Sequence, residues 1–348
     1  MATFSKATFD AAKYAAARPH YPRELYAHVL EYAAVPKRSQ TRTALLDLGC
    51  GPGLSTLPFA PHFDRVVGVD PSTNMVRAAN AILTEKRRHG EIDERCDVEF
   101  KQAKADQLED VVEDESVDLV VAGQAAHWFD PVPTYRSIAR ALKPGGAFVF
   151  WGYGEIFFPD RPELSELIPP YSGGLLGPYW DQPGRSIVED LLRPFPLPIA
   201  SSLSRADPRP PSRDDPSRAF DPRHFKRTFH LRDDPSSSKM TPLMVQEQAE
   251  AGSVSIERHG LLLTKPLTLD LLSAYLSTWS SLHKYLDEVQ RDPPRSSSSS
   301  SSSSSTSTRL AEGPVETLIR EMNERGWNKG EEVVGAWEMG FVMGKKKH

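Results

Sequence analysis

The sequence predicts an α/β fold, a mainly parallel twisted sheet with helices on both faces, and three observations carry that reading. Short apolar runs alternate with segments of helical length between residues 43 and 151. The first run ends in "DLGCGPG" (Asp47 to Gly53), which places three glycines at alternating positions. The second run ends on an acid, Asp70. Strands separated by helices pair in parallel through right-handed crossovers. The first strand-to-helix turn of such a sheet lies at its switch point, where ligands bind. Glycine costs backbone entropy, so a cluster of three needs a steric cause, and close approach of a ligand to the main chain is the usual one.

Residues 1–40 read as an N-terminal cap segment and 41–155 as the binding core. "TALLDLG" is a short apolar run ending in glycine, a buried strand. Pro58 falls one turn into the helix expected after Gly53, so that helix should be short, irregular or late. "RVVGVD" is the next strand. "STNMVRAANAIL" follows as a helix capped by Ser72 or Thr73, with Met75, Ala78, Ala79 and Ile82 at helical spacing. "DVEFKQA" alternates as a weaker strand and "SVDLVVAGQAA" is a strong one. "PTYRSIARALKPGG" reads as a helix closed by Pro144 and Gly145, and "AFVFWGY" as a further strand.

Residues 156–290 read as a lid on the substrate side. "LGPYWDQPGR" (Leu176 to Arg185) is an aromatic, proline-rich loop facing the ligand. The stretch 204–239 is dense in Pro, Asp, Arg and Ser and reads mostly as a poorly ordered insertion. "SVSIERHGLLLTKPLT" is one more strand or a hairpin. "TLDLLSAYLSTWSSLHKYLDEV" reads as one amphipathic helix behind a Thr268 cap, with Leu272, Tyr275, Leu276, Trp279, Leu282 and Leu286 on its apolar stripe. Residues 291–309, with Ser296 to Ser305, form a linker. In 310–348, "GPVETLIREMNERG" is a helix with Pro314 near its start and Gly326 beyond its end. "EVVGAWEMGFVMGKKK" is a terminal strand completing the core, its basic tail solvated.

Composition narrows the class. The 348 residues carry a formal charge of -5. No basic stripe interleaves with aromatics, so nucleic acid is not the expected partner. The N-terminal stretch lacks the apolar centre of a signal peptide, and no run approaches a membrane span. The two cysteines, Cys50 and Cys96, make no disulfide framework and suit a reducing compartment. A cytoplasmic protein, monomeric or weakly dimeric, is the expectation. The ten histidines are scattered without metal-ligand spacing, so no metal is expected.

The glycine turn reads D-x-G-x-G-x-G, tighter than the dinucleotide fingerprint G-x-G-x-x-G, and no basic residue follows as in a phosphate-cradling loop. That spacing suits an amino-acid-plus-nucleoside ligand lying along the turn. Asp70, at the end of the second strand, can accept hydrogen bonds from ribose hydroxyls. Together they point to S-adenosyl-L-methionine. His127 and Trp128 follow the fourth strand, where the crevice opens, as an acceptor contact and a pocket wall. Trp151, Trp180 and Trp279 either line a substrate cavity or fill the core.

At "DLGCGPG", "VDPSTNM", "AHWFD" and "LKPGG" the chain resembles the Rossmann-like class I S-adenosylmethionine-dependent methyltransferases with a methyltransferase type 11 domain. "RPHYP", "WGY", "LGPYWDQPGR" and "YLSTWSSLHKY" are similar to the fungal trans-aconitate methyltransferase branch. The resemblance leaves out residues 200–240 and the serine tract. It implies that Asp47, Gly49, Gly51 and Gly53 line the methionine end of the cofactor and Asp70 its ribose. Ala105 and Asp106 would flank the adenine, Gln124 and Ala125 would lie beside the sulfonium, and Tyr14, Arg18 and Tyr21 would close over the cofactor. The implied reaction is O-methylation of a small carboxylic acid, trans-aconitate-like, to a methyl ester. C- or O-methylation of a more apolar metabolite, or cofactor binding without catalysis, stay open. A carboxylate acceptor is ionised at neutral pH and needs no base; a hydroxyl or carbon acid would need one, and His127 is the well-placed candidate. An acid with several carboxylates needs cationic grips, for which the branch motifs offer Arg18, Arg185 and His283.

Overall fold

The computed structural model describes residues 10–35, 42–207, 215–233, 240–252, 254–291 and 313–348. Five strands, β1 (Ala44–Leu48), β2 (Arg65–Asp70), β3 (Asp97–Gln102), β4 (Val117–Gly123) and β5 (Leu142–Phe157), pair in parallel in the order β3-β2-β1-β4-β5. Four more extend the sheet to nine: β6 (Lys226–His230), β7 (Ser255–His259), β8 (Leu263–Leu267) and β9 (Val333–Lys345). Strand β9 runs antiparallel to β5, β6 and β8, while β6 and β7 are parallel.

The apolar runs are continuous because the central strands are covered on both faces. Successive side chains point to opposite sides. Leu45, Val66, Val121 and Trp151 therefore enter one core, and Leu46, Val67, Val120 and Phe150 the other. Helices α2 (Arg23–Ala33) and α3 (Thr73–Arg88) cover the first, through Leu25, Val29, Ala79 and Leu83. Helix α4 (Pro131–Ala141) covers the second through Tyr135 and Ile138. Ser72 caps α3 by accepting from the Met75 amide, and Lys86, Arg87 and Arg88 occupy its last turn, where cations favour the helix dipole. A short helix ahead of α2, α1 (Ala11–Ala17), is capped by the Asp10 carboxylate.

The short, irregular helix expected after Gly53 is found as a 3-10 segment, Leu57–His62, with Pro58 in its first turn. Several other sequence expectations are corrected. Helix α4 ends at Ala141, and "LKPGG" already belongs to β5; Lys143 precedes Pro144, which disfavours helical backbone. Part of the 204–239 stretch is ordered: β6 lies between β9 and β7, while 208–214 and 234–239 fall outside the described residues. "SVSIERHGLLLTKPLT" yields β7 and β8, which pair with different neighbours rather than as a hairpin. The single helix expected over 268–289 is two, Leu269–Leu276 and Ser280–Arg291. Between them the Ser277 and Thr278 hydroxyls donate back to the carbonyls of Ser273 and Tyr275 at 2.8 and 2.6 Å, competing with the helical ladder. The basic tail is not simply solvated, since Lys346 donates to Glu115 and to the Leu142 carbonyl, both at 2.8 Å. The serine tract lies outside the described residues.

A buried ion pair and a buried carboxyl fix the parts that shape the ligand side. Arg227 of β6 and Glu247 are both without exposure, joined Nε to Oε2 at 3.0 Å and Nη2 to Oε1 at 3.1 Å. Arg227 also donates to the carbonyls of Leu192 and Phe195, and Glu247 accepts from the Leu197 amide. The pair thus anchors the segment that follows the helix Gly184–Glu189. Asp47 of β1 is likewise unexposed; its Oδ2 accepts from the hydroxyls of Ser55 at 2.9 Å and Thr56 at 2.6 Å. Burial pushes the Asp47 carboxyl up to about 7, against the lowering effect of those two hydroxyls.

Two stability outcomes follow from these charges. Arg227→Met leaves the Glu247 carboxylate buried and unpaired, so thermal denaturation should show a loss on the order of 3–5 kcal/mol. The double change Arg227→Met with Glu247→Leu should recover most of it. For Asp47 the folded value lies above the ordinary carboxylate value of 3.8. Its contribution is therefore fully present below about pH 4 and is lost as pH rises through about 7. Asp47→Asn, which keeps an acceptor for both hydroxyls, should gain in melting temperature over the parent between pH 5 and pH 8.5. A difference that stays flat over that range would contradict the assignment.

Candidate active site

The carboxyl ends of β1, β2 and β4 open into a cavity of about 350 Å³, within the range of small-molecule sites. Its floor is the turn after β1. Gly49 and Gly53 have φ of +69° and +83°. A Cβ on Gly49 would lie 2.5 Å from the Ala125 Cβ, and one on Gly53 would meet the Phe100 ring at 2.8 Å, so no other residue fits either position. The amides of Gly49 and Cys50 both donate to the Val69 carbonyl, at 2.8 and 2.9 Å, which holds the turn against the end of β2.

Asp70 faces the same cavity. Its Oδ2 accepts from the Gly51 amide at 3.1 Å and its Oδ1 from the Ser72 amide at 2.8 Å. Each oxygen thus keeps lone-pair capacity for a ligand hydroxyl. Burial raises its carboxyl from the ordinary value, opposed by those two amides. Ala105 and Asp106 after β3, with Ala125 after β4, also line the cavity. Gln124 does so with a φ of +55°, sparsely populated for a non-glycine residue. Its amide side chain is committed to β5, accepting from the Tyr153 amide at 2.7 Å and donating to the Tyr153 carbonyl at 3.1 Å. Tyr14, Arg18 and Tyr21, on α1 and the segment after it, form the roof.

Beyond the roof lies a second chamber of about 90 Å³, and Tyr14, Arg18, Gln124, Trp128 and Tyr153 border both spaces. Aromatic rings of Trp180, Trp279 and Tyr275 wall it, with His127, Glu155, Asp181 and Arg185 among them. The Arg18 guanidinium donates from Nη1 to the Tyr153 hydroxyl at 2.9 Å and from Nη2 to the Thr278 carbonyl at 3.4 Å. It stacks on Tyr14 and Tyr275, and its buried Nε has no partner. Among the described residues no carboxylate pairs with it. Arg185 differs: its Nη2 lies 2.8 Å from Glu155 and 2.6 Å from Glu189, and its guanidinium sits 4.2 Å over the Trp180 ring. Asp181 pairs with Lys284. The His127 Nδ1 is buried without a partner, and burial, with the Arg18 charge adding to it, drives the ring down to about 3. The imidazole is therefore neutral and a weak base.

The structure brings together most of the residues expected from the sequence, with four corrections. Asp47 and Gly53 stand behind the turn, as support rather than lining. Trp151 is wholly buried in the sheet core against Tyr21, Phe59 and Phe341 and walls neither space. His283, on the helix Ser280–Arg291, borders neither space. Arg185 borders the chamber but is neutralised by two carboxylates. Sequence reasoning missed Tyr153, Glu155 and Tyr275. The first two sit at the carboxyl half of β5, the same sheet edge as the other site residues, and that position is the signal that could have found them. Among the described residues no cluster of His, Cys, Asp and Glu could hold a metal, and no helix is long and apolar enough to cross a membrane.

Residues 46–150 match the family described as methyltransferase domain. A Saccharomyces cerevisiae protein described as an S-adenosylmethionine-dependent methyltransferase, CRG1, is 31% identical over 182 residues, 52% of this chain and 58% of that protein. The methyltransferase cfoB of Aspergillus candidus is 28% identical over 192 residues, 51% of this chain and 57% of that protein. The chain thus spans a little over half the length of these relatives. A solved structure from Anaeromyxobacter dehalogenans, described as a type II methyltransferase, superposes with a TM-score of 0.57 at 21% identity, covering 95% of this chain and 99% of that one. The fold is the Rossmann-like fold of the class I methyltransferases, and the domain match falls on the strands and turns that build the larger cavity.

Proposed function

We propose that this protein is an S-adenosylmethionine-dependent methyltransferase that esterifies the carboxylate of a small acid. The carrying observation is Arg18, a guanidinium at the wall between the two spaces with no carboxylate of its own. The larger cavity suits the cofactor. Asp70 offers two oxygens to a ribose, the Gly49 turn leaves room for a ligand against the main chain, and Ala105 and Asp106 border the opposite end. When bound, S-adenosylmethionine supplies a methyl group on a sulfonium, which a carboxylate oxygen can take as the carbon–sulfur bond breaks and its electron pair returns to sulfur.

The chain's own task is then to hold the acceptor in line and exclude water. Arg18 orients the carboxylate, since a guanidinium pairs in a planar fork and stays charged at any working pH. Trp128 and the tyrosines of the shared wall close the junction. No proton needs to move, which agrees with a His127 too weakly basic to take one.

Two outcomes test this reading. Asp70→Ala should weaken S-adenosylmethionine binding by about one to two orders of magnitude, at about 1.5–3 kcal/mol per charge-assisted hydrogen bond, with the circular dichroism spectrum unchanged. Unaltered affinity in calorimetry would remove the ribose assignment. His127→Asn should cost roughly tenfold or less in kcat, whereas a general base would cost about 10²–10⁴. A loss of the larger size, with cofactor affinity intact, would move the acceptor to a hydroxyl or carbon acid.

A further inference from the structure

The second chamber carries more information about the acceptor than its acid group alone. Its charged side chains are four, and three are already balanced. Arg185 meets Glu155 and Glu189, and Asp181 meets Lys284, which leaves Arg18 as the lining cation without a carboxylate among the described residues. Much of the rest of the wall is aromatic. Trp180 lies 5.4 Å from Trp279, centroid to centroid, and Trp279 lies 5.9 Å from Tyr275. Such a wall favours an apolar body packed against its rings. A second carboxylate on the acceptor would meet Glu155 beside a guanidinium already taken twice over, and an Asp181 already paired with Lys284. Like charges held close in a partly dehydrated space repel strongly, and discrimination by an unpaired charge is an effective way to reject a ligand.

We propose that the acceptor is a compact monocarboxylic acid with an apolar body, its carboxylate met by Arg18 and its body by the tryptophan walls, and that an Arg185 already shared between Glu155 and Glu189 leaves acids bearing a second carboxylate without a counter-charge. The proposal rests on the carboxylic-acid reading above. It departs from the trans-aconitate-like acceptor that the sequence resemblance implies, because two of the three expected cationic grips, Arg185 and His283, are paired or outside the chamber.

A matched pair of probes separates the two. Sorbate and trans,trans-muconate share the same conjugated six-carbon chain, and muconate carries a carboxylate where sorbate carries a methyl group. Each is titrated by calorimetry into the full chain saturated with S-adenosylhomocysteine. Sorbate should bind at least about tenfold more tightly than muconate. Glu155→Gln, which frees one face of Arg185, should bring muconate to within about threefold of sorbate, and Asp181→Asn should shift the ratio in the same direction if the first variant is unstable. Muconate binding as tightly as sorbate to the parent protein would overturn this inference and leave the acid reading standing. Failure of both acids to bind, with S-adenosylhomocysteine still bound, would overturn both.

Discussion

The backbone path from Asp47 to Gly53 is the constraint on which the rest of the molecule is arranged. Strand β1 carries the unexposed Asp47 carboxyl next to its last residue, and its bonds to Ser55 and Thr56 draw the chain back beneath the turn it has just made. That folding-back lets Gly49 come within contact of Ala125 and Gly53 within contact of Phe100, distances that no side chain at either position would permit. Strands β2 and β4 flank β1 on either side, so the turn opens where the chain order of the sheet reverses. The amides it exposes are shared between the Val69 carbonyl and the Asp70 carboxylate. A single local geometry therefore sets the floor of the cavity and the position of its acid.

How much of this was legible in the sequence depends on where each segment's partner lies. The strands β1, β2 and β4 were plain, because burial on both faces demands apolar residues at every position and leaves little ambiguity. Strand β6 was not. "KRTFH" reads as polar surface, yet Arg227 is buried there because Glu247, twenty residues further on, meets it in the core. No local pattern announces such a pairing. The split between Leu269–Leu276 and Ser280–Arg291 was hidden for a related reason. The apolar stripe continues across it, and the interruption comes from two hydroxyls bonding back to the main chain.

The site divides along the same line. The glycine turn and Asp70 could be placed because sheet topology assigns them to one edge, and Ala105, Asp106 and Ala125 came with the family resemblance. The arginines could not be ranked. Arg18 and Arg185 both stand in aromatic, proline-bearing motifs, and only the fold shows that one is balanced by Glu155 and Glu189 while the other is balanced by none. The tryptophans behave alike: Trp151 and Trp180 are equivalent as letters. Trp151 sits centrally in β5 with the core on its side of the sheet, and Trp180 lies on the segment that crosses the open edge.

Arg18 also joins parts of the chain that share no strand. Helix α1 has seven residues, too few to hold its shape by propensity alone. It packs on α3 through Ala11 and Met75. The roof that follows it is tied down through Arg18, which reaches the Tyr153 hydroxyl on β5 and the Thr278 carbonyl between the two later helices. Those contacts use Nη1 and Nη2, and the buried Nε has no partner. An anion arriving at the shared wall therefore meets the same guanidinium that latches the roof to the sheet. Charge-assisted bonds to an acceptor would strengthen that latch rather than replace it, so acceptor binding and ordering of the roof are linked through one side chain. One side chain thus borders both spaces and ties the roof to the sheet.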